Sequence, residues 1–293
     1  MIKSGKISLE ILLFSALCLL VRKREQPVIL ALWPHSLIVG YSAKEQLNTK
    51  PTGIITFQWD AVSGDTVKLN GFVQPSVTSV YSYDGDTMIE NWHLNAPKIQ
   101  IRTPAGGYIT RYYCADAYNN DSQKVEAGWA TDGGDLDTTT TLSLGGGAWV
   151  SCASADCSFT TSGAVATEET AVGGDSTITM LCGGAFPIAF KLNDTNAVVW
   201  TCSPGKSYEG DAMIENWHLN APKIQVRTSA GGYTTRYYCS DAYNNDTQQV
   251  EAGWATDGGD LDTTTTVDVG GGFWLNQPNG DKKIYVTVKN PVK

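Results

Sequence analysis

The segment Tyr83–Trp149 returns without a gap as Tyr208–Trp274. At this offset of 125 residues, 55 of 67 positions are identical. The differences are small ones, such as Asp84/Glu209, Ile101/Val226, Ser122/Thr247 and Ala148/Phe273. A repeat of this length and fidelity is a copied folding unit, so the fold must be one that can be built twice. A chain of 293 residues holds two ordinary domains, each with its own core.

Within the repeat the local patterns are those of strands. KIQIRT (Lys98–Thr103), the turn Pro104-Ala105-Gly106-Gly107 and YITRYYC (Tyr108–Cys114) make a period-two run, a break and a second run, with Ile99 and Ile101 on one face. TVKLNGFV (Thr66–Val73) and STITML (Ser176–Leu181) also read as strands, each after a Gly-Asp turn (Gly64-Asp65 and Gly174-Asp175). DTMIENWHL (Asp86–Leu94) is the one candidate helix, bounded by Pro97. Thirty glycines, a charged fraction of 17%, nine tryptophans and thirteen tyrosines favour sheets and turns over helix bundles. The expected fold is all-β: two tandem β-sandwich or jelly-roll-like units, 44–163 and 164–293, with their seam in the small-residue stretch Thr161–Gly174.

Residues 1–43 read as an address. Two apolar runs, Ile11–Val21 and Val28–Gly40, flank the basic cluster Arg22, Lys23, Arg24, and each is shorter than the ~20 residues a membrane-spanning helix needs. The cluster followed by the second run and by Ser42-Ala43 has the order of an export signal with its cleavage site; a membrane anchor is the other reading. Net charge is −9, split as +4 over residues 1–50 (seven Lys/Arg, three Asp/Glu) and −13 over the rest (fourteen, twenty-seven). An acidic body without a basic stripe argues against nucleic acid and leaves cations, glycans and proteins as partners. A membrane would be met only through the N-terminal segment.

The offset also sorts the cysteines. Carried past Trp149, it pairs Ala148–Thr161 with Phe273–Val286; the second copy reads as a hairpin turning at Asn279-Gly280, and the first should match it. There Cys152 and Cys157 replace Gln277 and Lys282, flanking the turn, where two sulfurs can meet. Cys182 and Cys202 also belong to one copy only, opposite Phe57 and Val77, and are expected to pair. Cys114 and Cys239 are equivalents, each alone in its unit, and are expected to be buried thiols. A disulfide framework of this kind belongs to an oxidising compartment.

The loop WATDGGDLDTTTT occurs twice, at Trp129–Thr141 and Trp254–Thr266. Asp132, Asp135 and Asp137, with Asp257, Asp260 and Asp262 in the second copy, offer hard oxygen ligands for Ca²⁺, although the spacing is not that of an EF-hand. Asp-Gly-Gly-Asp is equally ordinary turn chemistry. Asp84 and Asp86, recurring as Glu209 and Asp211, are either a second acidic patch for such a site or exposed charge at a strand end. His93 and His218, near Glu90 and Glu215, could do acid–base work, but no GxSxG elbow is present and Cys114 and Cys239 are the only other candidate nucleophiles, so we expect no enzyme. Trp92, Tyr118 and Trp129, with Trp217, Tyr243 and Trp254, could form a ligand platform for sugar rings or protein surfaces; a glycine-rich unit with few leucines could equally need them as core. Asn120, Asn193 and Asn245 stand in formal N-glycosylation sequons.

Gly85-Asp86-Thr87-Met88-Ile89 with Trp92, and the closing Gly145–Trp149 (GGGAW) and Gly270–Trp274 (GGGFW), carry a resemblance. Together with the Gly-Asp strand starts, they resemble a loose class of uncharacterised, exported bacterial β-rich repeat proteins with GD-I-W and GGGFW-like motifs. The resemblance implies an extracellular or cell-surface location and a non-catalytic role, and it supplies no functional residues. The expected function is a structural or adhesive surface protein, self-assembling or binding a glycan or protein surface; the alternative is a carbohydrate-binding protein with aromatic platforms and Ca²⁺-ordered loops.

Overall fold

A computed structural model describes residues 29–33, 36–46, 52–60, 67–103, 106–154, 157–166, 168–174, 179–228, 231–278 and 283–291. The chain is nearly all β, with strands numbered β1 to β24 along the sequence and every ladder antiparallel. One five-stranded sheet has the order β10 (Lys124–Ala130), β9 (Tyr108–Asn119), β8 (Lys98–Arg102), β11 (Gly147–Ser151), β3 (Thr52–Thr56). A second joins β1 (Ile29–Trp33), β2 (Ser36–Gln46), β12 (Ser158–Val165) and β4 (Trp59–Asp60), with β5 (Val73–Pro75) also on β12. The later half holds their counterparts. The order β14 (Met180–Cys182), β23 (Phe273–Asn276), β19 (Lys223–Arg227), β20 (Tyr233–Asn244), β21 (Gln249–Ala255) runs beside a smaller sheet of β13 (Ala171–Gly174), β24 (Ile284–Val288) and β16 (Val198–Cys202). Three two-stranded pieces complete the set: β6 (Tyr83–Asp84) with β7 (Thr87–Met88), β17 (Tyr208–Glu209) with β18 (Ala212–Met213), and β15 (Phe190–Lys191) with β22 (Thr266–Val267).

Each main core draws on both neighbouring sheets. Ile55, Ile99, Trp129 and Val150 meet Val73 and Phe159 in the first; Ile224, Trp254 and Phe273 meet Val198, Ile284 and Val286 in the second. Alternation along the strands supplies these inward residues, as expected from the period-two runs. The two period-two runs pair as the β8–β9 hairpin, with Lys98 opposite Tyr112 and Ile101 opposite Ile109. Its turn residues Pro104 and Ala105 lie outside the described residues, as do Ile11–Val21, Arg22–Arg24, Gly64-Asp65, Asp175 and Asn279-Gly280.

The second apolar run, in its described part, forms the hairpin β1–β2, and Gly40–Gln46 of β2 pairs with β12. No helix among the described residues is long and apolar enough to cross a membrane. β12 continues past Gly163 to Val165, and the next strand, β13, starts at Ala171 in a different sheet, so the sheets change hands at 166–170.

Three local expectations are corrected. The stretch TVKLNGFV is not a strand: Leu69–Phe72 forms one helical turn, α1, because Leu69 and Phe72 at i and i+3 are the buried pair. DTMIENWHL is not a helix beyond the 3₁₀ turn Trp92–Leu94; Gly85 and Asn91, both at φ near +57°, break it into the β6–β7 hairpin and that turn. The segments after Trp149 and Trp274 are not hairpins. β11 is already flanked by β8 and β3, and β12 by β2, β4 and β5, so neither has a free edge for the other; β23 and β24 are likewise occupied. The chain therefore crosses from one sheet to another at both places. The disulfide Cys152–Cys157 is formed, with Cα atoms 6.2 Å apart, and it fastens this crossing rather than a hairpin turn. The expected Cys182–Cys202 bridge is not: both are free thiols, Cys182 on β14 and Cys202 on β16 of another sheet, while Cys114 and Cys239 are buried free thiols as expected.

The two GGG motifs sit where the copies of the repeat meet. A Cβ on Gly147 would lie 2.9 Å from Leu181, and one on Gly272 would lie 2.5 Å from Ile54. Trp149 pairs with Ile54 and Trp274 with Leu181, so these are one contact made in both directions. Gly183, the counterpart of Thr56 in this register, packs on Thr56 itself. Arg227 donates to the Thr52 carbonyl at 2.6 Å and lies 5.1 Å over the Trp149 ring.

Candidate functional site

Trp92, Cys114 and the backbone of Asp132, with their second-copy equivalents, come together in small clusters separate from the main cores. The cause is a bulge. Between Cys114 and Ala117 strand β9 carries one residue more than β10, and the irregularity recurs between Cys239 and Ala242. A bulge bends the strand and re-aims a side chain. Here it presents Asp116, which accepts the Ser82 amide at 2.7 Å, the Ser82 hydroxyl at 2.9 Å and the Tyr83 amide at 2.9 Å. Asp241 holds Ser207 and Tyr208 in the same way. Burial works to raise the Asp116 pKa, but these three donors outweigh it and hold the carboxyl below its ordinary range.

This grip anchors a small second cluster of Trp92, Ala96, Cys114, Ala117 and Ala130, repeated as Trp217, Ala221, Cys239, Ala242 and Ala255. The aspartate loop closes over it. Trp92 Nε1 donates to the Asp132 carbonyl at 2.9 Å, and the Tyr83 hydroxyl donates to the Gly133 carbonyl at 3.2 Å. Gly134, at φ +82°, lies where a Cβ would strike the Tyr83 ring at 2.8 Å. The second copy repeats each bond: Trp217 to Asp257 at 2.9 Å and Tyr208 to Gly258 at 3.2 Å.

The aspartates thus serve the loop, as the turn reading of Asp-Gly-Gly-Asp expects, and Asp137 and Asp262 are committed to internal bonds. Asp137 is buried, and its carboxylate accepts from Arg111 Nε, from the Thr139 and Thr140 amides at 2.8 Å and from both threonine hydroxyls. Asp262 does the same with Arg236, Thr264 and the Thr265 amide. Burial alone would raise the Asp137 pKa; the bonds from Thr140 and Thr139 and the charge of Arg111 outweigh it and bring it to about 2. Asp135 turns instead to Asn120 Nδ2, at 3.0 Å, and Asp260 to Asn245. Asp132 and Asp257 contribute backbone carbonyls to the tryptophans. Among the described residues no three His, Cys, Asp or Glu side chains gather as a metal centre.

The platform reading is corrected for the tryptophans. Trp92, Trp129, Trp217 and Trp254 are at most 4% exposed and pack as core. Their size and flat faces fill units poor in leucine. Tyr118 and Tyr243 are half-buried, and each hydroxyl donates to a loop glutamine, Gln123 or Gln248, at 2.9 Å. His93 and His218 lie against Tyr112 and Tyr237, with ring centroids 5.1 Å apart. Asp84, Asp86, Glu209 and Asp211 are exposed at hairpin turns. Burial pushes the Cys114 and Cys239 thiols up to about 11, so both stay protonated at neutral pH.

One pair of residues has no structural role legible in the sequence, where Asn70 lies in a stretch that reads as a strand and Asn193 appears only as a sequon. Asn70 donates to the Trp129 and Asp137 carbonyls and accepts from the Trp129 amide, and Asn193 does the same for Trp254 and Asp262. The two lie outside the 67-residue block and 123 residues apart. Their only shared signal is the tripeptide Lys-Leu-Asn, Lys68-Leu69-Asn70 and Lys191-Leu192-Asn193. These bonds also commit the Asn193 side chain, whereas Asn120 and Asn245 stand exposed at hairpin tips.

Beside exposed polar residues such as Glu90, Lys124 and Glu126, apolar side chains are exposed in matched pairs. Leu94 and Leu219 are 67% and 63% exposed, Val125 and Val250 both 64%, and Met88 and Met213 43% and 46%. No known protein family, curated protein or solved structure matches the chain.

Proposed function

We propose that the chain is an exported, non-catalytic surface protein that works by adhesion or self-association, built from two β-sandwich units in tandem. One observation carries the reading. Each copy holds Met, Leu and Val outward at nearly the same exposure, while Trp92, Trp129, Asp137 and their equivalents are spent on internal packing and bonds. Large exposed apolar groups mark a contact surface where they lie together, and presenting them in both copies raises avidity without any new contact. The Val125 and Val250 ends of β10 and β21 are also the open halves of edge strands, since Asn70, Asn193 and the aspartate loops cover the other halves. The Cys152–Cys157 disulfide and the basic-then-apolar N-terminal segment support export.

Light scattering and electron microscopy of the purified chain test the reading. Oligomers, filaments or sheets are expected, dispersed by Leu94→Asp with Leu219→Asp while the fold is kept. A strictly monomeric protein that also fails to coat polysaccharide or protein surfaces would overturn it.

A further inference from the structure

The second copy has a cavity built by the residues that set it apart from the first. It measures about 460 Å³, within the range of small-ligand sites, and lies between the segment Lys191–Trp200 and strands β20 and β21. The two copies diverge sharply here. Counted from the equivalent asparagine to the residue opposite Thr161 or its equivalent Val286, the first copy has only Gly71 and Phe72 before Val73, whereas the second has Asp194 to Val199 before Trp200, with β16 already begun at Val198.

This insertion undoes two hydrogen bonds of the first copy. The Tyr113 hydroxyl donates to Gln74 at 3.2 Å, and Trp129 Nε1 donates to the Val73 carbonyl at 2.8 Å. In the second copy the equivalent Tyr238 lines the cavity, and its hydroxyl has no hydrogen-bond partner among the described residues. The equivalent Trp254 Nε1 is buried and unpartnered behind the cavity wall, where Trp200 and Tyr238 pack on its ring at 4.9 and 5.3 Å. A buried donor left unpaired is destabilising. A copy kept only for packing has no reason to open this space and lose both bonds.

We propose that the cavity binds one neutral sugar residue. Trp200 and Tyr238 supply aromatic surface for the apolar C–H face of a pyranose ring. Around them Lys191, Asp194, Asn244 and Glu251 set donors beside acceptors, as a ring of hydroxyls requires. The lining carries one base, Lys191, against Asp194, Glu251 and Asp262, the last paired with Arg236, so an anion is disfavoured and a cation is the competing ligand. Glu251 is held in place by Asn244 Nδ2 at 2.5 Å. The site does not depend on the exposed apolar pairs, so its failure would leave the surface-protein reading standing, and the reverse holds.

Saturation-transfer NMR on the full chain, with glucose, galactose, mannose and N-acetylglucosamine each at about 20 mM, tests the proposal, since a site of millimolar Kd is then nearly filled. At least one sugar is expected to bind, to quench tryptophan fluorescence and to lose about tenfold in affinity in Tyr238→Phe and in Glu251→Gln. Glu126→Gln, the equivalent change in the first copy, should leave binding unchanged. Melting curves identify any variant that fails to fold; should Tyr238→Phe do so, the exposed Glu251→Gln decides. Absence of binding by all four sugars, equal loss in Glu126→Gln, no loss in the folded variants, or stronger binding of tetramethylammonium than of any sugar would overturn it.

Discussion

Trp149 and Trp274, the same position of the two repeats, meet each other at the junction with ring centroids 6.4 Å apart and planes at 77°. Edge-to-face pairs of this geometry contribute about 0.5–1.5 kcal/mol beyond the area they bury. Urea denaturation of Trp149→Leu, Trp274→Leu and the double variant should return a coupling energy in that range. Strict additivity of the two changes would show that the contact contributes nothing to joining the units.

Acid should weaken the protein through Asp137 and Asp262. The Asp137 carboxyl titrates at about 2 in the folded chain against an ordinary 3.8, and Asp262 is lowered by the same arrangement. Because the folded-state value is the lower one, the stabilisation is complete above about pH 4 and is lost as pH falls toward 2. For Asp137 it amounts to about 2 kcal/mol. Stability measured between pH 7 and 2 should drop over that window, and Asp137→Asn should be less stable at pH 7 with a flatter profile.

Calcium should leave the melting temperature unchanged. A site with Kd of about 10 µM would add about 2.7 kcal/mol at about 1 mM Ca²⁺, a plain upward shift. The Asp137 and Asp262 carboxylates already accept from threonines and an arginine. A rise in melting temperature reversed by EGTA would show that Asp132 and Asp135 recruit ligands the loop does not hold in place.

Peptide mapping under non-reducing conditions should find Cys152 joined to Cys157, and Cys114, Cys182, Cys202 and Cys239 open to alkylation once the chain is unfolded. With a sequence separation of 5 the bridge closes a short loop, so its reduction should cost about 2 kcal/mol in the chain-entropy account. A Cys182–Cys202 crosslink in the mapped protein would contradict the arrangement of β14 and β16.

Strands were legible where alternation runs on both sides of a turn, as in Lys98–Cys114, but not in TVKLNGFV, where Leu69 and Phe72 turn inward at helical spacing. Presence in one copy only pointed to the Cys152–Cys157 bridge, where the two lie five residues apart, and misled for Cys182 and Cys202, which the fold puts on different sheets. The crossing after Trp149 was not legible, because whether two adjacent strands pair is decided by β3, β8, β2 and β5, which occupy their edges. The role of Asp137 was hidden for a similar reason: Arg111 lies 26 residues away, and only the closed sheet brings it to the carboxylate. The duplicated loop looked like chemistry, but Asn70 and Asn193, inconspicuous in dissimilar surroundings, are what tie it to the edge strand.

The reciprocal contacts of Gly147 with Leu181 and of Gly272 with Ile54 describe a local dyad, the geometry by which two identical subunits close into a pair. The contact is therefore self-complementary at this seam: the glycine motif of each copy receives a side chain from the other, so a side chain added at Gly147 or at Gly272 would disturb equivalent halves of one interface.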